Sequence, residues 1–208
     1  MKFLAVILLT SILVLSNEIV TAQSCKLTCP SNIVVGAEKG QEGALVSYPP
    51  VSTVGIGDCG TVTYSRPNGS FFRLGSYSVI ATASTGENCS FTVTVTDNEP
   101  PNLSPITLSR THLWPATNKM KKTAVNYTTS DNGENVKTAL SVSSNTTDGI
   151  KDWEITDDHL LRLKSSRLPD GAVRIYTITV TATDEASNKT TRTTTIAVSP
   201  TMKAVPAD

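Results

Sequence analysis

The sequence predicts an all-β chain, two β-sandwiches in tandem after a cleaved signal peptide. Three observations carry this. Short β-branched runs recur along the chain, and Gly, Pro, Asn and Asp punctuate the gaps between them. Within those runs apolar residues alternate with polar ones, as Phe91, Val93 and Val95 do with Thr92, Thr94 and Thr96. One strand pattern also occurs twice, since residues 76–83 can be laid on 175–182, and Val93 and Val95 then match Ile196 and Val198.

The elements follow in chain order. Lys2, the apolar stretch 3–15 and the small residues of Val20-Thr21-Ala22 mark 1–22 as a signal peptide. The apolar run is short for a hydrocarbon core of about 30 Å. Residues 23–28 read as a linker, although a lipidated Cys25 would make a membrane anchor of it. Glu18 inside the leader and Gln23 count against lipidation. Strands are expected at 33–35, 45–48, 61–64, 77–81 and 91–95.

Thr96-Asp97-Asn98-Glu99 then closes in turn formers, and Pro100 and Pro101 deny ladder hydrogen bonds and stiffen the connection. The boundary between a domain at 29–99 and a second at 100–200 falls there, with 201–208 as a tail. The best helical candidate is 157–165, one or two turns started by Asp157-Asp158. Tyr176 follows the corner of Leu168, Pro169 and Gly171 and alternates inward with Ile178 and Val180. That placement resembles the tyrosine corner of immunoglobulin-like sandwiches and gives Tyr176 a structural role, its hydroxyl closing the corner on the backbone.

Composition excludes several functions. In 208 residues, 18 Lys+Arg balance 18 Asp+Glu without a basic run, which leaves no electrostatic footprint for a nucleic acid or an anionic membrane. Residues 29–99 hold 3 positive and 6 negative charges and residues 100–200 hold 12 and 10, differences too small to name a partner. His112 and His159 lack metal-ligand spacing, and neither a nucleophile elbow nor a phosphate-cradling loop is present, so no catalytic residue and no enzyme activity are expected. Aromatic residues are 5 % of the chain, so a carbohydrate platform would fall to Trp114, Trp153, Phe71 or Phe72. Trp114 before Pro115 reads as a core or corner plug, which leaves Trp153 as the candidate.

Four cysteines in an exported chain suggest two disulfides. Cys59 with Cys89 is the favoured pair, because both lie in the strand-bearing body, and Cys25 with Cys29 would then close a small ring at its entrance. Cys29 with Cys59 stays open as an alternative. No cofactor is required, but hard oxygens of the kind Ca²⁺ takes stand at Asp97, Asn98 and Glu99, at Asp184-Glu185 with Asn188, and at Asp131 with Glu134. The first group is similar to the acidic linkers between cadherin-type sandwiches. Turn formation accounts for the same residues.

Cys29-Pro30-Ser31-Asn32-Ile33, Gly43-Ala44-Leu45-Val46-Ser47-Tyr48-Pro49-Pro50, Asp58-Cys59-Gly60, Phe72-Arg73-Leu74-Gly75 and Cys89-Ser90-Phe91-Thr92-Val93 occur in an order that closely resembles the hyalin repeat (HYR) family over 29–99. The resemblance implies an immunoglobulin-like sandwich in an extracellular or cell-surface protein, used in adhesion. The hairpin before Cys89, residues 84–88, is shorter than the family commonly has, so no site on that loop is carried over. Residues 102–199, through Leu113-Trp114-Pro115, Asp131-Asn132-Gly133 and Val173-Arg174-Ile175-Tyr176, resemble the companion sandwich of large bacterial surface and secreted proteins.

Together the two resemblances imply a secreted or cell-surface, non-catalytic adhesion or spacer protein whose loops meet an extracellular protein or polysaccharide. A carbohydrate-binding accessory protein and a calcium-stabilised cadherin-like module are the alternatives. Membrane contact is expected only if Cys25 is lipidated.

Overall fold

The computed structural model describes residues 25–54, 58–146 and 151–199. The expected signal peptide and the tail 201–208 lie outside the described residues. Eight strands precede the double proline: β1 (Lys26–Thr28), β2 (Ile33–Gly36), β3 (Gly43–Val46), β4 (Ser52–Val54), β5 (Val62–Tyr64), β6 (Ser70–Arg73), β7 (Gly75–Ala83) and β8 (Asn88–Thr96). Ten follow it: β9 (Asn102–Leu103), β10 (Thr107–Leu108), β11 (His112–Leu113), β12 (Met120–Asn126), β13 (Thr129–Ser130), β14 (Lys137–Ser144), β15 (Trp153–Asp157), β16 (Leu160–Lys164), β17 (Ile175–Thr183) and β18 (Lys189–Val198). The described residues contain no helix.

The strands before the prolines form a four-stranded sheet in the order β2-β8-β7-β5 and two pairs, β3-β6 and β1-β4. Those after them form two four-stranded sheets, β10-β12-β16-β15 and β11-β18-β17-β14, and the pair β13-β9. Period-two alternation builds each core. Phe91, Val93 and Val95 of β8 meet Val79, Phe72, Tyr48, Val46 and Ala44 in one buried cluster, and Tyr176, Ile178, Val180 and Ala182 of β17 meet Leu161, Leu163, Val125, Ile196 and Val198 in another. No residue belongs to both clusters. The long hairpins β7–β8 and β17–β18 are the two copies of the repeated pattern, and Gly86 at φ 93° makes the tight turn of the first.

Several expectations are corrected here. Residues 157–165 are a hairpin turn and β16 rather than a helix. Leu161 and Leu163 are fully buried while Arg162 is exposed, a period of two that a helix cannot satisfy. Asp157 Oδ1 accepts the His159 N–H at 2.7 Å, so the acidic pair shapes a turn, not a helix start.

The linker 23–28 is also partly a strand, because β1 pairs with β4 through Leu27↔Thr53. That strand decides the cysteines. Cys25 and Cys29 flank it, and four steps of extended chain separate their Cα atoms by about 13 Å, beyond the roughly 4.4–6.8 Å a disulfide allows. The bonds are Cys25–Cys59 and Cys29–Cys89, with Cα separations of 5.1 and 5.8 Å. The Cys59–Cys89, Cys25–Cys29 and Cys29–Cys59 pairings are therefore all replaced. In this structure the Cys25 sulfur, which a thioether lipid would need, is bonded to Cys59.

Candidate functional site

The junction at Pro100-Pro101 gathers more polar structure than a linker needs. Three strand ends deliver an acid to it: Asp97 follows β8, Asp131 follows β13 and Asp184 follows β17. One carboxylate oxygen from each lies within 4.8 Å of the others. Local turns aim them. Asp97 Oδ1 accepts the Glu99 N–H at 3.0 Å, Asp131 Oδ2 accepts the Gly133 N–H at 3.0 Å, and Asp184 Oδ1 accepts the Asn188 N–H at 2.8 Å. Gly133 leaves this approach room, because a Cβ there would stand 3.1 Å from Asp131 Oδ2, close enough to push that carboxylate aside by a few tenths of an ångström.

Hydrogen bonds bracket the prolines from both sides. Glu99 Oε2 accepts the Gly40 N–H at 2.7 Å, and Asn132 Nδ2 donates to the Gln41 carbonyl at 3.2 Å. Asn188 Nδ2 donates to Asp184 Oδ2 at 2.9 Å and lies 3.4 Å from the Asp97 carbonyl. Beside the acids opens a cleft of about 580 Å³, lined among others by Glu42, Arg73, Asp97, Asp131 and Glu134.

The electrostatics are unbalanced. Ion pairs among the described residues join Arg73 to Glu42, Arg162 to Glu154, and both Lys164 and Arg174 to Asp152. None of these reaches Asp97, Asp131 or Asp184. Burial pushes the Asp131 carboxyl above its ordinary value of 3.8; the Gly133 N–H opposes that, and the neighbouring Asp97 and Asp184 charges add to it. Three carboxylates from three loops are a hard-oxygen set that suits Ca²⁺, with water supplying the rest of six to eight ligands.

Of the candidate oxygens, the structure brings Asp97, Asp131 and Asp184 together with Asn188 beside them, and turns Asn98, Glu99 and Glu185 to other partners. Asn98 turns over Gly36, where its Nδ2 stands 2.7 Å from the position a Cβ would take. Glu99 is spent on Gly40, and Glu185 Oε1 accepts from Asn135 Nδ2 at 2.7 Å. The convergence itself was not read from the sequence, although a signal exists. The pairs Thr96-Asp97, Ser130-Asp131 and Thr183-Asp184 each end a strand.

The aromatic candidates change roles. Trp153 packs against the second core and meets the Tyr176 ring edge-on at 6.5 Å, so it offers no flat platform to a sugar. Trp114 is no core plug: it is 36 % exposed, and its carbonyl accepts from Lys121 Nζ at 2.6 Å. Phe72 is buried, whereas Phe71 is exposed opposite Leu45. Tyr176 is fully buried, and its hydroxyl donates to the Lys164 carbonyl at 2.9 Å rather than to the corner at 168–171.

Two mostly antiparallel sandwich cores, each with one parallel strand pair, define an all-β, immunoglobulin-like architecture. More particularly, residues 22–95 match the family model of the HYR domain, from ahead of β1 almost to the end of β8. No curated protein matches the chain.

Among solved structures, the chain is similar to the N-terminal eight Ig domains of Down Syndrome Cell Adhesion Molecule, with 12 % identity, 83 % of this chain and 27 % of that one covered, and a TM-score of 0.38. An I-band fragment of titin gives 12 %, 84 %, 63 % and 0.38. Drosophila N-cadherin EC1-4 gives 13 %, 83 %, 49 % and 0.34. The chain thus spans from about a quarter to under two thirds of their lengths.

Proposed function

We propose that the protein is a non-catalytic extracellular contact protein, secreted or held at the cell surface, in which a sandwich at 29–99 and another at 100–200 are kept at a fixed angle. Its loops are then presented to a partner at a defined spacing. The bracket across Pro100-Pro101 carries the reading, because Asn132 and Asn188 reach across the junction to the Gln41 and Asp97 carbonyls. A passive tether would leave these polar groups to water. Backbone ¹⁵N relaxation tests it. One rotational correlation time for both sandwiches is expected, splitting into two in Asn132→Ala/Asn188→Ala, and two independent times in the unaltered protein would refute it. Turnover in a broad hydrolase screen would refute the non-catalytic part.

The meeting of Asp97, Asp131 and Asp184 favours a second reading, in which Ca²⁺ bound by these carboxylates locks the same junction. Millimolar Ca²⁺ should then raise the thermal midpoint by several degrees over a chelated sample. An unchanged midpoint removes the cation and leaves the bracket standing.

A further inference from the structure

The neutral composition conceals a row of like charge. On the sheet β10-β12-β16-β15, Thr123, Val125, Leu161 and Leu163 face the core, so Lys122 and Arg162 face outward. These two are direct cross-strand partners, and Arg162 is in turn the partner of Glu154. Arg110 completes the row on the other side of Lys122, with its Nε donating to the Lys122 carbonyl at 3.0 Å. Lys122 and Arg162 thus lie side by side on neighbouring strands, about 5 Å apart from strand to strand, and Arg110, in the loop after β10, holds its guanidinium against the Lys122 backbone. One carboxylate, Glu154, answers them, 3.2 Å from Arg162.

Like charges directly opposite each other weaken a sheet, and no fold requirement explains these, because all three side chains are solvent-exposed. Arg110 is held by its Nε and keeps its terminal N–H groups free to present a fork to a carboxylate. The sequence could not show the row, since its members stand at 110, 122 and 162.

We propose that this face binds an anionic polysaccharide bearing one carboxylate per sugar, a polyuronate laid across the strands along Arg110, Lys122 and Arg162. The proposal deepens the contact-surface reading and rests on it. Charge complementarity selects the ligand, and the line of single charges on a flat sheet matches a polymer with evenly spaced carboxylates. A membrane fits less well, because the face offers Thr107, Ala124 and Asn126 beside the row, with Met120 and the half-buried Leu160 as its large apolar side chains.

The test uses the purified protein in chelator with three probes: polygalacturonate, neutral dextran, and phosphatidylcholine vesicles containing phosphatidylglycerol. Binding to polygalacturonate alone is expected, weakening as NaCl rises. Arg110→Gln/Lys122→Gln should lower that affinity about tenfold or more. Glu154→Gln should raise it severalfold by freeing Arg162, a gain that a purely structural role would not produce. Lys189→Gln, on another sheet, should change nothing. Equal thermal midpoints in all variants exclude unfolding as the cause.

Absent binding, binding indifferent to the double substitution, equal binding to vesicles, or self-association abolished by the same substitution would each overturn the proposal. The relaxation experiment at the junction tests the contact-surface reading separately, so the two failures are distinguishable.

Discussion

Asp152 is the residue on which the second core turns. It is 6 % exposed and pairs with Arg174, itself 3 % exposed, while Lys164 Nζ reaches its other oxygen at 3.1 Å. Arg174 Nε also donates to the Ser166 carbonyl at 3.1 Å. Asp152→Ala strands a buried guanidinium and should cost about 3–5 kcal/mol in urea unfolding. Lys164→Ala, at a side chain 37 % exposed, should cost under about 1 kcal/mol. Equal effects would mean that burial does not set the worth of these pairs. Tyr176 sits beside this network, and burial, the largest influence, pushes its phenol up to about 12. Its inward position was legible from alternation with Ile178 and Val180. Its hydrogen-bond partner was not, because Lys164 belongs to a different hairpin.

Among the elements, alternation located β2, β3, β5, β7 and β8 to within a few residues, and the repeated pattern located the second long hairpin. It failed at 157–165, where short charged and apolar residues fit either period and the burial of Leu161 and Leu163 decided the outcome. The cysteines follow the same logic. Once β1 is a strand, its flanking cysteines point to different partners, Cys59 and Cys89. The loops closed span 34 and 60 residues, so each bond should contribute about 4 kcal/mol by restricting the unfolded chain. Non-reducing peptide mapping should yield the 25–59 and 29–89 cross-linked pairs, and loss of either through Cys→Ser should lower the urea midpoint. A recovered 59–89 peptide would contradict the register of β1 with β4.

At the scale of the whole molecule, the junction should make stability depend on pH. Asp131 has a folded-state value raised above 3.8, so the folded protein holds this proton more tightly than the unfolded chain. Stability is therefore lost as pH rises from 3.8 through the higher folded value, and the full penalty persists above it. Asp131→Asn should remove that slope and raise the midpoint at pH 7 in chelator, while abolishing any stabilisation by Ca²⁺. A variant less stable at pH 7 in chelator would show that the Gly133 turn outweighs the charge crowding.

The sequence by itself determined the all-β class and the inward faces of the long strands, because these depend on neighbours two residues apart. Only the tertiary structure decided which cysteines bond, that Asp97, Asp131 and Asp184 meet, and that Arg110, Lys122 and Arg162 line up in a chain with no net charge. Each of these joins residues remote in sequence, and strand register, set by the packing of two separate cores, is what brings them together.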